Sequence, residues 1–200
     1  TLRQGIKMLE DKGLILADAN GTRRIAPLAT SITDPLVELM SSRSEVVDDY
    51  LELRSTLEGM AASLAATRAN DVDRQTLAAC MERIEAAHDK ADAHDEAEAD
   101  VDLHIAIYEA SHNVVLLQIM RALSGMLREG VFHNRAKLYA RAEVRDVLRL
   151  QHRAIHDAVM ARDPIAAARA AEDHMGYTKR VLNEIIAAEA RLEISLRRIE

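Results

Sequence analysis

The amino-acid sequence predicts a mainly α-helical fold, in which a six-helix antiparallel bundle follows a small helix-and-hairpin unit. Hydrophobic residues make up 48% and charged residues 30% of the 200 residues, and there are only 7 glycines and 3 prolines, which is a helical composition. No proline occurs between Pro35 and Pro164, and apolar residues recur in that stretch every three or four positions. Long helices joined by short loops pack as an antiparallel bundle.

Residues 1–28 are predicted to form part of a winged helix, a DNA-binding module. A segment with helical spacing comes first, and two short β patterns, LILA and RRIAPL, then flank the turn DANGT. The first 24 residues hold five basic and three acidic side chains, although the whole chain has a net charge of −7. Because the sequence begins without methionine in an element already under way, we expect it to be part of a longer protein.

Residues 29–42 are predicted to form a linker, and residues 43–200 a helical domain. Its first helix carries an apolar stripe with a spacing of three and four, and the pair Asn70-Asp71 ends that helix. The stripe consists of Val46, Tyr50, Leu53, Leu57, Met60 and Leu64. The predicted helices cover residues 44–69, 73–90, a segment from the acidic stretch 89–99 to about 111, then 114–138, 143–161 and 164–190.

Composition excludes several classes of protein. The single cysteine, Cys80, excludes an internal disulfide and favours a reducing, cytoplasmic location. No apolar run reaches the roughly 18 residues that a membrane span needs, so no membrane partner is expected. The sequence has no serine or cysteine nucleophile with a base at a readable spacing, and no phosphate-binding glycine loop. An enzyme is therefore not expected.

Four polar residues fall on the inward faces of three predicted helices. Asp100 and His104 are one turn apart on a face marked by Val101, Ile105 and Tyr108, so their side chains should meet. His152 and His174 each lie within an apolar stripe of a later helix.

One inward histidine is usually a hydrogen-bonded core residue, and a purely structural bundle would need nothing more. A divalent metal ion would satisfy all four groups at once, with zinc the first choice and nickel or another first-row ion possible. A metal-dependent hydrolase that uses the same ligands is a further alternative.

These residues also carry a resemblance to a known family. The pattern D-x-x-x-H, the phrase EASHN, the histidine within QHRAIHDAV and the histidine of the alanine-rich segment all occur in order. In this respect the chain resembles gluconate-repressor-type (GntR) transcription factors of the FadR-like branch, which have an all-helical FCD effector domain. The resemblance implies that the four polar residues bind a metal beneath the carboxylate of an effector.

The resemblance also implies which residues bind the effector. Arg54, in LELRSTLEG, matches a family arginine that is expected to bind its carboxylate. His133, in FHNRAKLY, matches a histidine of the lactate-type phrase and is expected to join Arg54, and Asn113 ends the phrase EASHN. The phrases EASHNVVLLQIMR and FHNRAKLY are most similar to regulators of lactate-utilisation operons. Pyruvate, glycolate or another organic or sugar acid is the alternative effector.

The same family implies a DNA-binding role for the first residues. Thr1 and Arg3 match positions that contact the major groove, and Gly21 matches the tip of the wing. The first two helices of the family's winged helix are missing from this sequence. The predicted protein is a homodimer, because an operator with two half-sites needs two winged helices.

Overall fold

The computed structural model describes residues 5–7, 15–17, 23–25, 44–126 and 137–197. The helices of the predicted bundle are all present, and the predicted mainly helical fold class is confirmed. They are α1 (Ser44–Arg68), α2 (Asp71–Lys90), α3 (Ala93–Ala110), α4 (Val114–Met126), α5 (Ala142–Met160) and α6 (Pro164–Leu196). Helix α1 packs along α6, α2 along α3 and α5, and α6 along α5.

The N-terminal segment contains the two predicted strands, while the predicted turn between them lies outside the described residues. Residues 5–7 are helical, and β1 (Ile15–Ala17) pairs with β2 (Arg23–Ile25) in an antiparallel hairpin. Its assignment to a winged helix stays a prediction. The predicted residues that lie outside the described part of the chain are Thr1, Arg3, Gly21, His133 and the linker 29–42.

Side-chain caps set the helix boundaries. The Oδ1 atom of Asn70 accepts hydrogen bonds from the first turn of α2, and the Asp73 side chain accepts one from the Asn70 N–H, which completes a capping box. The side chains of Asp92 and Asp163 accept hydrogen bonds from the first turns of α3 and α6, without the reciprocal bond, and Pro164 occupies the first turn of α6. Connections of two or three residues join α1 to α2, α2 to α3, α3 to α4 and α5 to α6, and such short connections favour an antiparallel arrangement of neighbouring helices.

The buried face of α1 agrees only in part with the predicted stripe, of which Tyr50 is buried and Leu57 and Leu64 are partly buried. Leu53 and Met60 are 50% and 48% exposed, whereas Arg54 and Glu58 are buried. Tyr50 and Leu51 are buried near the start of the helix, and the rest of the face is made largely of small residues, Ala61, Ala62, Ala65 and Ala66. Small side chains allow neighbouring helices to approach closely, and the adjacent leucine and methionine positions therefore turn to the surface.

Two helices differ in length from the prediction. Helix α6 continues to Leu196, beyond the predicted end at residue 190. The predicted fourth helix is present as α4 up to Met126 and again as a helical segment at residues 137–139, while residues 127–136 are not described. Among the helices in the described ranges, none has the length and apolarity that crossing a membrane requires.

The centre of the bundle surrounds polar residues with large apolar ones. On α3 the fully buried apolar side chains are Leu103 and Ile107, whereas Val101 and Ile105, which were expected to mark the inward face, are only partly buried. Fully buried side chains of the other helices are Leu77, Leu148, Ile155, Val159 and Met175. His104 follows Leu103 directly and His174 precedes Met175, so the core holds these imidazoles in place.

Candidate metal centre

The structure brings together the four residues predicted as metal ligands. Asp100, His104, His152 and His174 each offer one ligand atom, and these atoms all lie within 4.8 Å of one another. All four side chains belong to residues that are 1–4% exposed. Helix α3 supplies the first two residues, α5 the third and α6 the fourth. We call this group the Asp-His cluster.

The side chains of the Asp-His cluster converge on one point. The Oδ1 atom of Asp100 lies 2.9 Å from His152 Nε2 and 3.6 Å from His104 Nε2, the second distance being too long for a hydrogen bond. The ring of His174 lies 4.6 Å from that of His152 and 5.2 Å from that of His104, between ring centroids. Three imidazoles and one carboxylate therefore share a single buried space.

Hydrogen bonds outside the cluster orient three of its members. Glu58 Oε2 lies 2.9 Å from His104 Nδ1, and Gln151 Oε1 lies 3.2 Å from His174 Nδ1. The Tyr139 hydroxyl donates to Asp100 Oδ1 at 3.2 Å. An acceptor at Nδ1 holds the proton there and leaves the Nε2 lone pair of each imidazole for the cluster, which is how proteins orient metal-binding histidines.

A buried ion pair lies beside the cluster. Arg54 Nε donates to Glu58 Oε1 at 3.0 Å, one helical turn away on α1. Burial alone would lower the pKa of Arg54, but the charge of Glu58 raises it above its ordinary value. Burial would raise the pKa of Glu58, but the charges of His104 and Arg54, and their hydrogen bonds, lower it to about 2. Both groups are therefore charged.

The pKa values of His104 and His174 are shifted in opposite directions. Burial lowers the pKa of His104, but the negative charges of Glu58 and Asp100 outweigh it and raise the pKa above 6.5. Burial and the neighbouring His152 and His104 lower the pKa of His174 well below 6.5. His174 is therefore a neutral imidazole at physiological pH, and this is the form that binds a metal.

These observations show that the residues fit a divalent metal ion. Neutral imidazole nitrogens and one carboxylate are the donors that zinc and other first-row divalent ions prefer. The group is buried, and a negatively charged carboxylate is costly to bury without compensating positive charge. A cation that binds the aspartate and the three histidines would compensate that cost.

Sequence reasoning missed the three orienting residues. Glu58 could have been found, because it follows Arg54 by one turn and so shares its face of α1. Nothing in the sequence indicates a role for Gln151 except that it directly precedes His152. Tyr139 belongs to a different segment of the chain, and only the folded structure brings it to Asp100.

Asn113 lies in the turn between α3 and α4. Its side-chain oxygen accepts a hydrogen bond from the N–H of Leu116 at 3.1 Å, and its own N–H donates to Ser111 Oγ at 3.2 Å. These contacts cap α4, and a role for Asn113 in effector binding stays a prediction. Other described histidines contact carboxylates outside the cluster: His88 Nε2 lies 3.1 Å from Asp146 Oδ1, and His112 Nε2 lies 2.7 Å from Asp73 Oδ2.

Residues 49–177 match the family model of the FCD domain. The matched range begins in α1, ends within α6 and includes the Asp-His cluster and the Arg54–Glu58 pair. The chain belongs to the FCD-domain family.

Relatives of this FCD chain are transcriptional regulators. The Glc operon transcriptional activator of Escherichia coli (strain K12) is 34% identical over 188 residues, which are 92% of this chain and 74% of that protein. The putative L-lactate dehydrogenase operon regulatory protein of the same strain is 32% identical over 196 residues, 96% of this chain and 74% of that protein. The FCD chain is accordingly a GntR-type transcriptional regulator and not an enzyme, as its sequence predicts.

A solved structure shows the same fold. Streptococcus agalactiae GntR superposes with a TM-score of 0.63 at 21% sequence identity, over 90% of this chain and 80% of that one. At this identity the likeness concerns the fold alone. The helical arrangement that carries the Asp-His cluster is thus the arrangement of a known GntR-family structure.

Proposed function

We propose that the FCD chain is the sensing part of a metal-containing regulator that responds to a small carboxylate. The observation that carries the proposal is the Asp-His cluster beside a buried arginine. A divalent ion held by Asp100, His104, His152 and His174 would supply positive charge and open positions for a carboxylate oxygen. Arg54 would bind that carboxylate through its planar guanidinium.

The charges of the site favour an effector with a single negative charge. Arg54 carries one positive charge and Glu58 one negative charge, and Asp100 would carry a second negative charge as a metal ligand, with the ligating imidazoles neutral. Together with a divalent ion they leave one net positive charge in a low-dielectric interior. A monocarboxylate would neutralise it, whereas a dicarboxylate would leave an uncompensated negative charge.

Lactate is the first choice among such effectors. The sequence phrases that favour it are EASHNVVLLQIMR and FHNRAKLY, and one relative is named for an L-lactate dehydrogenase operon. Glycolate and pyruvate, also small monocarboxylates, are the alternatives. In this proposal His133 joins Arg54 in binding the effector.

The output of the sensor is binding to operator DNA. The hairpin β1–β2 and the basic residues around it support a winged helix over residues 1–28, with Thr1, Arg3 and Gly21 at the DNA. A homodimer would place two such modules on two half-sites. Effector binding in the helical bundle would change the distance between them and so change the affinity for the operator.

Elemental analysis combined with thermal unfolding tests the proposal. We expect about one equivalent of zinc or another first-row ion per chain, and a rise in the unfolding midpoint with L-lactate that chelation abolishes. D-lactate, pyruvate and glycolate serve as the competing effectors. His152→Ala should remove the metal, whereas His156→Ala, one turn later on α5 and paired with Asp157, should retain it.

Two results would contradict the proposal. A chain that binds no metal even after zinc or nickel is added would leave the cluster as hydrogen-bonded core residues. A lactate response that persists in the fully chelated protein would separate effector binding from the metal.

A further inference from the structure

The carboxylate of Glu58 contacts both Arg54, the proposed effector-binding residue, and His104, a proposed metal ligand. Its Oε1 atom accepts a hydrogen bond from Arg54 Nε at 3.0 Å, and its Oε2 atom lies 2.9 Å from His104 Nδ1. Glu58 itself is 1% exposed. We propose that Glu58 is a positioning residue that holds the metal ligand His104 and the effector-binding Arg54 together, and so couples the two binding events. This inference rests on the proposed function.

The position of Glu58 on its helix makes both contacts possible at once. Arg54 and Glu58 are one turn apart on α1, so their side chains lie side by side. Helix α1 packs against α3, which presents His104 to the same face although it is 46 residues further along the chain. A side chain that is buried between two packed helices has few alternative rotamers, and both hydrogen bonds are therefore held in one geometry.

For His104, the consequence is a fixed tautomer. A carboxylate that accepts from Nδ1–H keeps the proton on that nitrogen and turns the Nε2 lone pair toward the cluster. Removal of such an outer partner typically lowers metal affinity by about 10- to 100-fold. Gln151 orients His174 through a neutral amide, whereas Glu58 does so for His104 with a full negative charge.

For Arg54, the consequence is a fixed direction of the guanidinium. Because Glu58 engages the Nε edge, the end of the guanidinium that carries the two NH₂ groups remains for a ligand. Loss of the carboxylate would leave the buried cation without its hydrogen-bonded partner, and the guanidinium would turn to find another. Affinity for metal and affinity for the effector should therefore fall together when Glu58 is changed.

Glu58→Gln tests the coupling, because glutamine has nearly the same size but only one accepting oxygen. It keeps a hydrogen bond to one of the two partners and presents an NH₂ group to the other. The matched control is Glu96→Gln. Glu96 is also buried and accepts a hydrogen bond from Arg145 Nε at 2.6 Å. It lies one turn before Asp100 on α3, but its ion pairs are with Arg145 and His88 and not with members of the cluster. Both variants thus lose a buried glutamate–arginine ion pair.

Zinc affinity is measured by competition with a chromophoric chelator, and L-lactate affinity by calorimetry on the zinc-loaded protein. We expect Glu58→Gln to bind zinc about 10- to 100-fold more weakly than the wild type and to lose affinity for L-lactate as well, while Glu96→Gln matches the wild type in both. Wild-type zinc affinity in Glu58→Gln would overturn the coupling. Absence of zinc binding in the wild type would instead refute the metal centre.

A spectroscopic measurement separates positioning from a merely structural role. In the metal-free protein at alkaline pH, the ¹⁵N chemical shifts of His104 should show the Nδ1–H tautomer in the wild type and a mixture of tautomers in Glu58→Gln. The wild-type measurement needs neither metal nor effector and no variant that must fold. An Nε2–H tautomer of His104 in the wild type would overturn the inference.

Discussion

Replacing Asp100 with asparagine should separate the charge of the Asp-His cluster from its shape. Asp100 supplies the carboxylate of the cluster, and its Oδ1 atom contacts His152 Nε2 at 2.9 Å and the Tyr139 hydroxyl at 3.2 Å. An asparagine oxygen can accept hydrogen bonds at the same place. The metal-free variant should therefore fold, and the main loss should be the negative charge that favours a cation.

The magnitude follows from the burial of Asp100. Removing one partner of a buried ionic contact costs about 3–5 kcal/mol, and we use about 3 kcal/mol because the amide oxygen remains a ligand. That value lowers zinc affinity by roughly 100-fold. Zinc at about 1,000 times its dissociation constant stabilises the wild type by about 4 kcal/mol, and the same zinc concentration would stabilise the variant by about 1.4 kcal/mol. For a chain of this size the rise in Tm would fall from about 8–16 °C to about 3–6 °C.

The assay is thermal unfolding of the wild type and Asp100→Asn, each after chelation and again with zinc. Asp157→Asn is the control, because Asp157 has a mostly exposed side chain on α5 and pairs with His156 outside the cluster. Its zinc-dependent rise in Tm should equal that of the wild type. An equal rise in Asp100→Asn would refute the assignment of this carboxylate as a metal ligand.

Three further predictions concern the effector, the pH and the core. Arg54→Lys should weaken L-lactate binding by about tenfold or more and leave zinc affinity nearly unchanged in titrations, because lysine cannot form the bidentate contact; equal lactate affinity would contradict this role. Since Glu58 and Asp100 raise the pKa of His104 despite its burial, zinc must displace a proton there, and zinc affinity should increase as the pH rises through neutrality. Calorimetry in buffers of different ionisation enthalpy measures the released proton, and a zinc affinity that does not change with pH would contradict the prediction. Ile155 is fully buried, and Ile155→Ala should lower the free energy of unfolding in urea by about 2–5 kcal/mol. Ile165 is 81% exposed, and Ile165→Ala should lower it by almost nothing. Equal losses would contradict the assignment of Ile155 to the core.

Local chemistry made the helices predictable from sequence. Asn70, Asp92 and Asp163 can each accept hydrogen bonds from a following helical turn, and such caps depend on neighbours two or three residues away. The proximity of Asp100 and His104 is equally local, because residues four apart in a helix lie on the same face. These features need no knowledge of the other helices.

The buried face of α1 was less predictable for a physical reason. Several apolar and small residues follow one another along this helix, so periodicity alone permits more than one inward face. The packing of α6 against the alanine-rich face decided the outcome, with Leu53 and Met60 exposed and Arg54 and Glu58 inside.

The sequence by itself determined the helical fold class, the approximate bounds of most helices and the types of side chain that could hold a metal. Only the tertiary structure brought His152 and His174 to Asp100, and Glu58 to His104, because these contacts join helices that are distant along the chain. The spacing of apolar residues indicates the inward face of one helix but not which other helices pack against that face. The meeting point of buried polar side chains depends on how the helices pack, and that packing is a property of the whole bundle.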